Sequence, residues 1–203
     1  TLAQPINQQA SRMVIGSNFT TETLLFSVNY RGSGFNNDQS QLSWQNPLFR
    51  AASGQQSVAP DSHQHQLSLK GRYGRGSNQL QGSYHFTAQY QDQMFLASSI
   101  EQALVVPLLP DNLSGRVNKH ALRLKYLFSP LSKLKFQTIF HYDKRDNQTE
   151  LMTVTPVITD SYIGQPRMTR PYDFNRWKFK LAADYRLDRQ NKLLFALERL
   201  VKK

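Results

Sequence analysis

A chain of 203 residues with 25 Lys and Arg against 14 Asp and Glu carries a formal charge of +11 and a pI near 10.0, a balance that points to an anionic partner such as nucleic acid, anionic lipid, or an acidic protein or cofactor. It has no cysteine, which excludes disulfide frameworks, thiolate metal sites and thiol catalysis. Hydrophobic residues make up 39% and mean hydropathy is −0.56, yet aromatics reach 11%. That composition is unlike a disordered chain, and no run approaches the ~20 consecutive apolar residues of a membrane-spanning helix.

Residues 1–23 are rich in Gln, Asn, Ser and Thr without a sustained period and read as a loop. Thr1–Gly16 has no apolar core of signal-peptide length, so an envelope protein of this sequence is expected to be a mature piece or a fragment. From Leu24 a period of two begins. Leu24, Phe26, Val28 and Tyr30 oppose Ser27, Asn29 and Arg31, predicting a strand near 24–34. Leu42 and Trp44 alternate with Ser43 and Gln45, predicting a strand near 40–48 that Asn46-Pro47 stops.

Leu67, Leu69, Gly71 and Tyr73 then oppose Ser68, Lys70 and Arg72, predicting a strand near 64–75. A tight turn around Gly76 leads to Leu80, Gly82, Tyr84, Phe86, Ala88 and Tyr90, which oppose Gln81, Ser83, His85, Thr87 and Gln89 over 79–91; the two strands form a hairpin. A long connection containing Pro107 and Pro110 follows. A second hairpin pairs 118–128 with 132–143 across Ser129-Pro130-Leu131-Ser132, its apolar positions being Leu122, Leu124, Tyr126, Phe128 and Leu134, Phe136, Phe140, Tyr142. After another long excursion, 175–187 sets Trp177, Phe179, Leu181, Ala183 and Tyr185 against Arg176, Lys178 and Lys180. A last strand at 191–201 has an ambiguous register, because Leu193, Phe195 and Leu197 compete with Leu194 and Ala196.

These eight predicted strands are joined by connections of alternately short and long span. Soluble sandwiches mix their loop lengths, whereas outer-membrane barrels keep brief periplasmic turns and longer external loops. No helix and no linker is predicted, so 1–203 reads as a single barrel segment. Alternation alone does not say which face is wet: a sandwich buries the apolar face against a second sheet, and a membrane barrel turns it to lipid. Three features favour the barrel. The alternating runs last roughly 10 to 13 residues, against about 5–6 in globular sheets and about 9–11 needed to cross a bilayer at a tilt. Aromatics stand near strand ends on the apolar face, at Tyr30, Trp44, Tyr73, Tyr90, Phe128, Tyr142, Trp177 and Tyr185, as interfacial girdles require. The opposite face is Gln, Ser, Thr, Asn, Lys and Arg rather than a Glu/Lys mixture. The expected fold is all-β: an antiparallel up-and-down transmembrane β-barrel of about eight strands, or an open segment of a larger one.

Three blocks, GSGFNNDQSQLSWQNPLF at 32–49, VAPDSHQHQLSLKGRY at 58–73 and RPYDFNRWKFKLAADYRL at 170–187, resemble the MtrB/PioB family of outer-membrane proteins associated with decahaem cytochromes. The resemblance covers most of the chain in the same block order, and FNN…LSWQNP is its most specific element. It implies a large, non-catalytic barrel in the bacterial outer membrane, sheathing a periplasmic multihaem c-type cytochrome, with an extracellular cytochrome as a second partner and outer-membrane lipid around it. Haem would be carried by the partner, in keeping with the lack of any C-x-x-C-H site here. Set against that family, the chain has too few strands and ends in LVKK without a terminal aromatic, and is expected to be a C-terminal-half fragment or truncated product. Asn36, Trp44, Asn46 and Pro47 are marked by the resemblance, with a structural role expected: Trp at the girdle, Asn and Pro ending a strand.

Lys70, Arg72, Arg123, Lys125, Lys133, Lys135, Arg176, Lys178 and Lys180 all fall on polar strand faces with few acids beside them. A Lys or Arg facing lipid near the midplane would cost about 2–4 kcal/mol, so these nine are expected to face the lumen or a rim, lining an electropositive wall complementary to haem propionates and acidic patches of the cytochrome. The plainer reading is that they hydrate a water-filled lumen or meet anionic headgroups. His63 and His65 could hold a metal, but an exposed polar loop is the expectation, and no catalytic, metal or cofactor residue is assigned. A pore or receptor barrel is the alternative function. A soluble, basic β-sandwich is the third reading; no nucleic-acid partner is expected, since aromatics and cations occupy opposite faces.

Overall fold

The computed structural model describes residues 6–45, 53–96, 112–155, 158–159 and 162–203. Its strands are β1 (Gln8–Thr20), β2 (Leu24–Asn37), β3 (Gln41–Gln45), β4 (Ser53–Ser57), β5 (Asp61–Arg75), β6 (Asn78–Met94), β7 (Asn112–Leu131), β8 (Leu134–Asn147), β9 (Thr153–Val154), β10 (Ile158–Thr159), β11 (Tyr162–Ile163), β12 (Arg167–Met168), β13 (Phe174–Arg186) and β14 (Lys192–Lys202). Eight of them form one antiparallel sheet in the order β1-β2-β5-β6-β7-β8-β13-β14, and the rest make three two-stranded ribbons, β3-β4, β12-β9 and β10-β11. Each strand of the large sheet pairs only with the strands nearest to it along the chain within that sheet, and β1 and β14 are its two edges.

The eight long strands run from 11 to 20 residues, enough to cross a hydrocarbon layer at a tilt. The connections at Thr21–Thr23, Gly76–Ser77, Ser132–Lys133 and Leu187–Asn191 lie at one rim, and the strand ends joined through 38–60, 95–111 and 148–173 lie at the other. The alternation of short and long connections is therefore a division between two rims, as in outer-membrane barrels.

Two strands differ from the sequence reading. Residues 1–23 are not a loop throughout, because Gln8–Thr20 is edge strand β1. Its local pattern is blurred by the contiguous Met13-Val14-Ile15, and its register comes from its partner, with Ile15 opposite Tyr30 and Phe19 opposite Phe26. Conversely, the strand expected at 40–48 is not part of the large sheet. Gln41–Gln45 pairs instead with Ser53–Ser57 in a ribbon carried by the long connection, and the Trp44 ring lies so close over Gly54 that a Cβ there would meet it at 2.5 Å. Asn46 and Pro47, expected to stop that strand, lie outside the described residues, as do Pro107 and Pro110. The count of eight stands with a different membership.

The sheet has no interior of its own. Among the described residues Ala88, at 6% exposure, is the one buried hydrophobic, and no polar or charged residue is buried. Among the described residues no second sheet covers the apolar face, so the sandwich reading fails: its leucines and rings would need a facing layer about 10 Å away. Ile15, Phe19, Leu80 and Phe195 are instead 43–62% exposed. An uncovered apolar face of this extent marks a surface made for a non-aqueous neighbour.

The turns are locally determined. Between β5 and β6, Gly76 has φ 55° and is the one described residue with positive φ; Gly first and Ser77 second is the pattern of a type II′ turn, whose twist suits a two-residue hairpin. Between β7 and β8, the sequence places the turn at Ser129–Ser132, but β7 continues to Leu131 through an irregularity after Phe128, where Pro130 is tolerated because no ladder bond is demanded of it.

Between β13 and β14, Asp188 Oδ1 accepts hydrogen bonds from the backbone N–H of Gln190 (2.8 Å) and Asn191 (2.7 Å), and its Oδ2 accepts from Asn191 Nδ2 (2.8 Å). These bonds, the Asn191 side chain foremost, hold the carboxyl below its usual 3.8. A depressed native value means that the turn is stabilised above the unfolded carboxyl's titration and loses that support as pH falls through the folded value. The Gln190 and Asn191 amide resonances are accordingly expected to titrate with a midpoint below 3.8, and to stop moving over that range in Asp188→Asn. A midpoint at or above the usual value would contradict the arrangement.

Candidate functional site

Opposed residues in an antiparallel sheet share a face, so the registers sort every side chain. One face carries Leu24, Phe26, Val28 and Tyr30 of β2, Leu67, Leu69 and Tyr73 of β5, Leu80, Tyr84 and Phe86 of β6, and Leu122, Leu124 and Tyr126 of β7. It continues through Phe140 and Tyr142 of β8, Trp177, Phe179 and Leu181 of β13, and Leu197 and Val201 of β14. The other face carries the cations. It is the concave one: hollows of about 620, 630 and 360 Å3 are lined chiefly by its side chains.

Two adjacent rows organise the cations. One runs Ser27, Lys70, Ser83, Arg123, His141, Lys178, Leu200 across β2, β5, β6, β7, β8, β13 and β14; the next runs Leu25, Arg72, Gln81, Lys125, Ile139, Lys180, Glu198. Arg176 lies in a third row with Asp143, and Lys135 opposes Asp184 near the turn rim. Eight of the nine basic residues singled out from the sequence thus share the concave face. Lys133 does not, because it occupies the two-residue turn between β7 and β8, where its carbonyl accepts from Arg186 N.

The cations are not equivalent. Arg176 Nη2 contacts Asp143 Oδ2 at 2.8 Å, Lys178 Nζ contacts Glu198 Oε1 at 2.7 Å, and Lys192 Nζ contacts Asp184 Oδ2 at 3.0 Å. Each pair is solvent-accessible and so worth roughly 0–1 kcal/mol, but all three anchor their charges on β13 and its neighbours. Among the described residues no carboxylate pairs with Lys70, Arg72, Arg123 or Lys125. These four line the 630 Å3 hollow together with Gln81, Ser83, His85 and His141, and no Asp or Glu lines it.

Of the aromatics expected at girdles, Tyr30, Tyr73, Tyr90, Phe128, Tyr142, Trp177 and Tyr185 share the apolar face. Trp44 stands apart in the β3-β4 ribbon. Tyr126, Phe128 and Phe136 stack in sequence near the turn rim, with centroids 6.4 and 6.3 Å apart. Arg199 shares the apolar face and lies over the Trp177 ring, its guanidinium 5.5 Å from the ring centroid.

Two Tyr–His pairs on the same face were not visible in the sequence. Tyr30 Oη and His65 Nδ1 are 2.7 Å apart, and Tyr84 Oη and His120 Nδ1 are 2.8 Å apart, with Phe86 5.0 Å from the His120 ring. Cross-strand partners 35 and 36 residues apart leave no local signal. The pairing also corrects the reading of His63 and His65 as loop residues: both are in β5, and among the described residues no cluster of three or more His, Asp or Glu side chains stands ready for a metal.

Residues 1–202 match the family model described as "Putative outer membrane beta-barrel porin, MtrB/PioB". The chain is 31% identical over 196 residues to Outer membrane protein MtrB of Shewanella baltica (strain OS185), an alignment covering 95% of this chain and 28% of that protein. The chain therefore spans just over a quarter of the length of this relative. A curled, coreless antiparallel sheet with all its short turns at one rim is what a segment of such a barrel wall requires, and its place is the outer membrane. The chain belongs to the MtrB/PioB family of outer-membrane β-barrel porins.

Proposed function

We propose that this chain is part of the wall of a non-catalytic outer-membrane barrel that sheathes a multihaem c-type cytochrome and so supports electron transfer across the outer membrane. The haem belongs to the partner, and this chain binds none. The observation that carries the reading is the segregation of charge: Lys70, Arg72, Arg123, Lys125, Lys135, Arg176, Lys178 and Lys180 share the concave face, while the convex face is apolar and uncovered. With lipid against the convex face, the concave face forms the lumen wall. A lumen of net positive charge attracts haem propionates and acidic surface patches and sets the register of an inserted partner. The longer connections would meet an extracellular cytochrome at the opposite rim from the turns.

A second reading is supported by the porin description of the family and by the polar hollows: a water-filled pore whose cations select anions. The two differ in what fills the lumen. The full-length protein carrying this segment, purified from cells that make c-type cytochromes, is expected to retain haem absorbance through affinity and size-exclusion steps. In planar bilayers it is expected to conduct steadily only after the cytochrome is stripped. Steady conductance from the untreated protein, with no haem retained, would overturn the sheath in favour of the pore.

A further inference from the structure

We propose that Lys70, Arg72, Arg123 and Lys125 form a binding site for two clustered carboxylates on the surface of the inserted partner, the point at which the wall grips its cargo. This rests on the sheath reading and narrows it to one place. The four cations occupy two neighbouring rows on β5 and β7, separated by β6. Sheet geometry puts them at the corners of a rectangle about 7 Å along the strands and about 10 Å across them. Each strand supplies one Arg and one Lys, with Arg72 in the row of Lys125 and Lys70 in the row of Arg123. An Arg fork takes a carboxylate through two parallel hydrogen bonds, and a Lys two residues away adds a compact point charge. Each strand therefore presents one carboxylate clamp, and the clamps stand about 10 Å apart. Between them, Ser83 and Gln81 of β6 offer neutral donors at the floor.

What separates this site from a generally hydrated wall is the distribution of counter-charges. On the β8–β13–β14 side, Asp143, Asp184 and Glu198 each meet a cation within 3.0 Å. Around the quartet no carboxylate among the described residues lines the hollow. Clustered like charges repel. On the β8–β13–β14 flank Lys135 and Lys180 also form no ion pair among the described residues, but Lys135 stands opposite Asp184 and Lys180 opposite Glu198, whereas no cross-strand neighbour of the four quartet cations is a carboxylate.

The test compares two charge-matched double variants in the full-length protein co-purified with its c-type cytochrome. Lys70→Gln with Arg123→Gln removes two cations from the quartet. Arg186→Gln with Lys192→Gln removes two from the same concave face near the turn rim. The NaCl concentration at which half the haem absorbance washes off is expected to fall about threefold or more for the first, because an exposed ionic grip is screened by salt, and to stay near the parent value for the second. Lys70→Arg with Arg123→Lys is expected to restore retention. Equal salt sensitivity of the two doubles would overturn the site and leave the sheath intact, whereas a parent that retains no haem at any salt would overturn the sheath itself. Should the first double fail to assemble, judged by heat-modifiable migration, Arg72→Gln and Lys125→Gln are read singly against the same criterion.

Discussion

An arginine at Leu122 is expected to cost the folded barrel about 2–4 kcal/mol, whereas an arginine at Ala121, its neighbour on the same strand, is expected to change stability by less than about 0.5 kcal/mol. The two positions differ by one step of the pleat. Leu122 lies on the apolar face between Tyr84 of β6 and Tyr142 of β8, within the band that lipid would cover. Ala121 lies on the concave face between His85 and Asp143, where water reaches and a carboxylate stands opposite. Charge at the midplane of the lipid side forfeits hydration with nothing returned, and a strand side chain that long reaches headgroups only at a cost in position. Urea unfolding of the full-length protein in phospholipid vesicles measures both. Equal effects at the two sites, or a larger effect at Ala121, would mean that the faces have been assigned the wrong way round.

The second large effect is expected at Trp177. Trp177→Ala should destabilise the same protein by about 2 kcal/mol, combining loss of an interfacial ring with loss of its contact to Arg199, itself worth about 0.5–2 kcal/mol. Arg199 is on the apolar face of β14 directly opposite Phe179, and its guanidinium lies 5.5 Å from the centroid of the Trp177 ring. Trp177→Phe keeps a ring in place and should recover most of the loss, while Trp177→Ala combined with Arg199→Leu should recover part of it by removing the charge left without its ring partner. If Arg199→Leu makes the alanine variant worse, the ring and the guanidinium do not act on one another as described.

How much of this was legible from sequence depended on how cleanly each strand separates its faces. From β5 to β8 the alternation is strict, as in Leu67, Leu69, Gly71 and Tyr73 against Ser68, Lys70 and Arg72, and both strands and faces could be read directly. The edges could not. In β14 both faces carry apolar residues, Leu193, Phe195 and Leu197 on one and Leu194, Ala196 and Leu200 on the other, so a period of two has nothing to distinguish them. In β1 the run Met13-Val14-Ile15 has the same effect. For the candidate site, the facing of the cations followed from parity. The division into paired and unpaired cations did not, because Asp143 reaches Arg176 across 33 residues of chain and only the register between β8 and β13 brings them together. Lys133 was assigned to a strand face because Ser129-Pro130-Leu131-Ser132 reads as the turn, whereas β7 runs on to Leu131 and the turn is Ser132–Lys133.

The nearest-neighbour order of the large sheet has a further consequence for how such walls change over evolution. With no crossover to preserve, the unit of growth is a hairpin: duplicating or losing one alters the girth by about 10 Å and leaves the pairing of every other strand as it was. The bore of a conduit can thus be fitted to a thicker or thinner passenger by adding or dropping pairs, without redesigning any surviving contact.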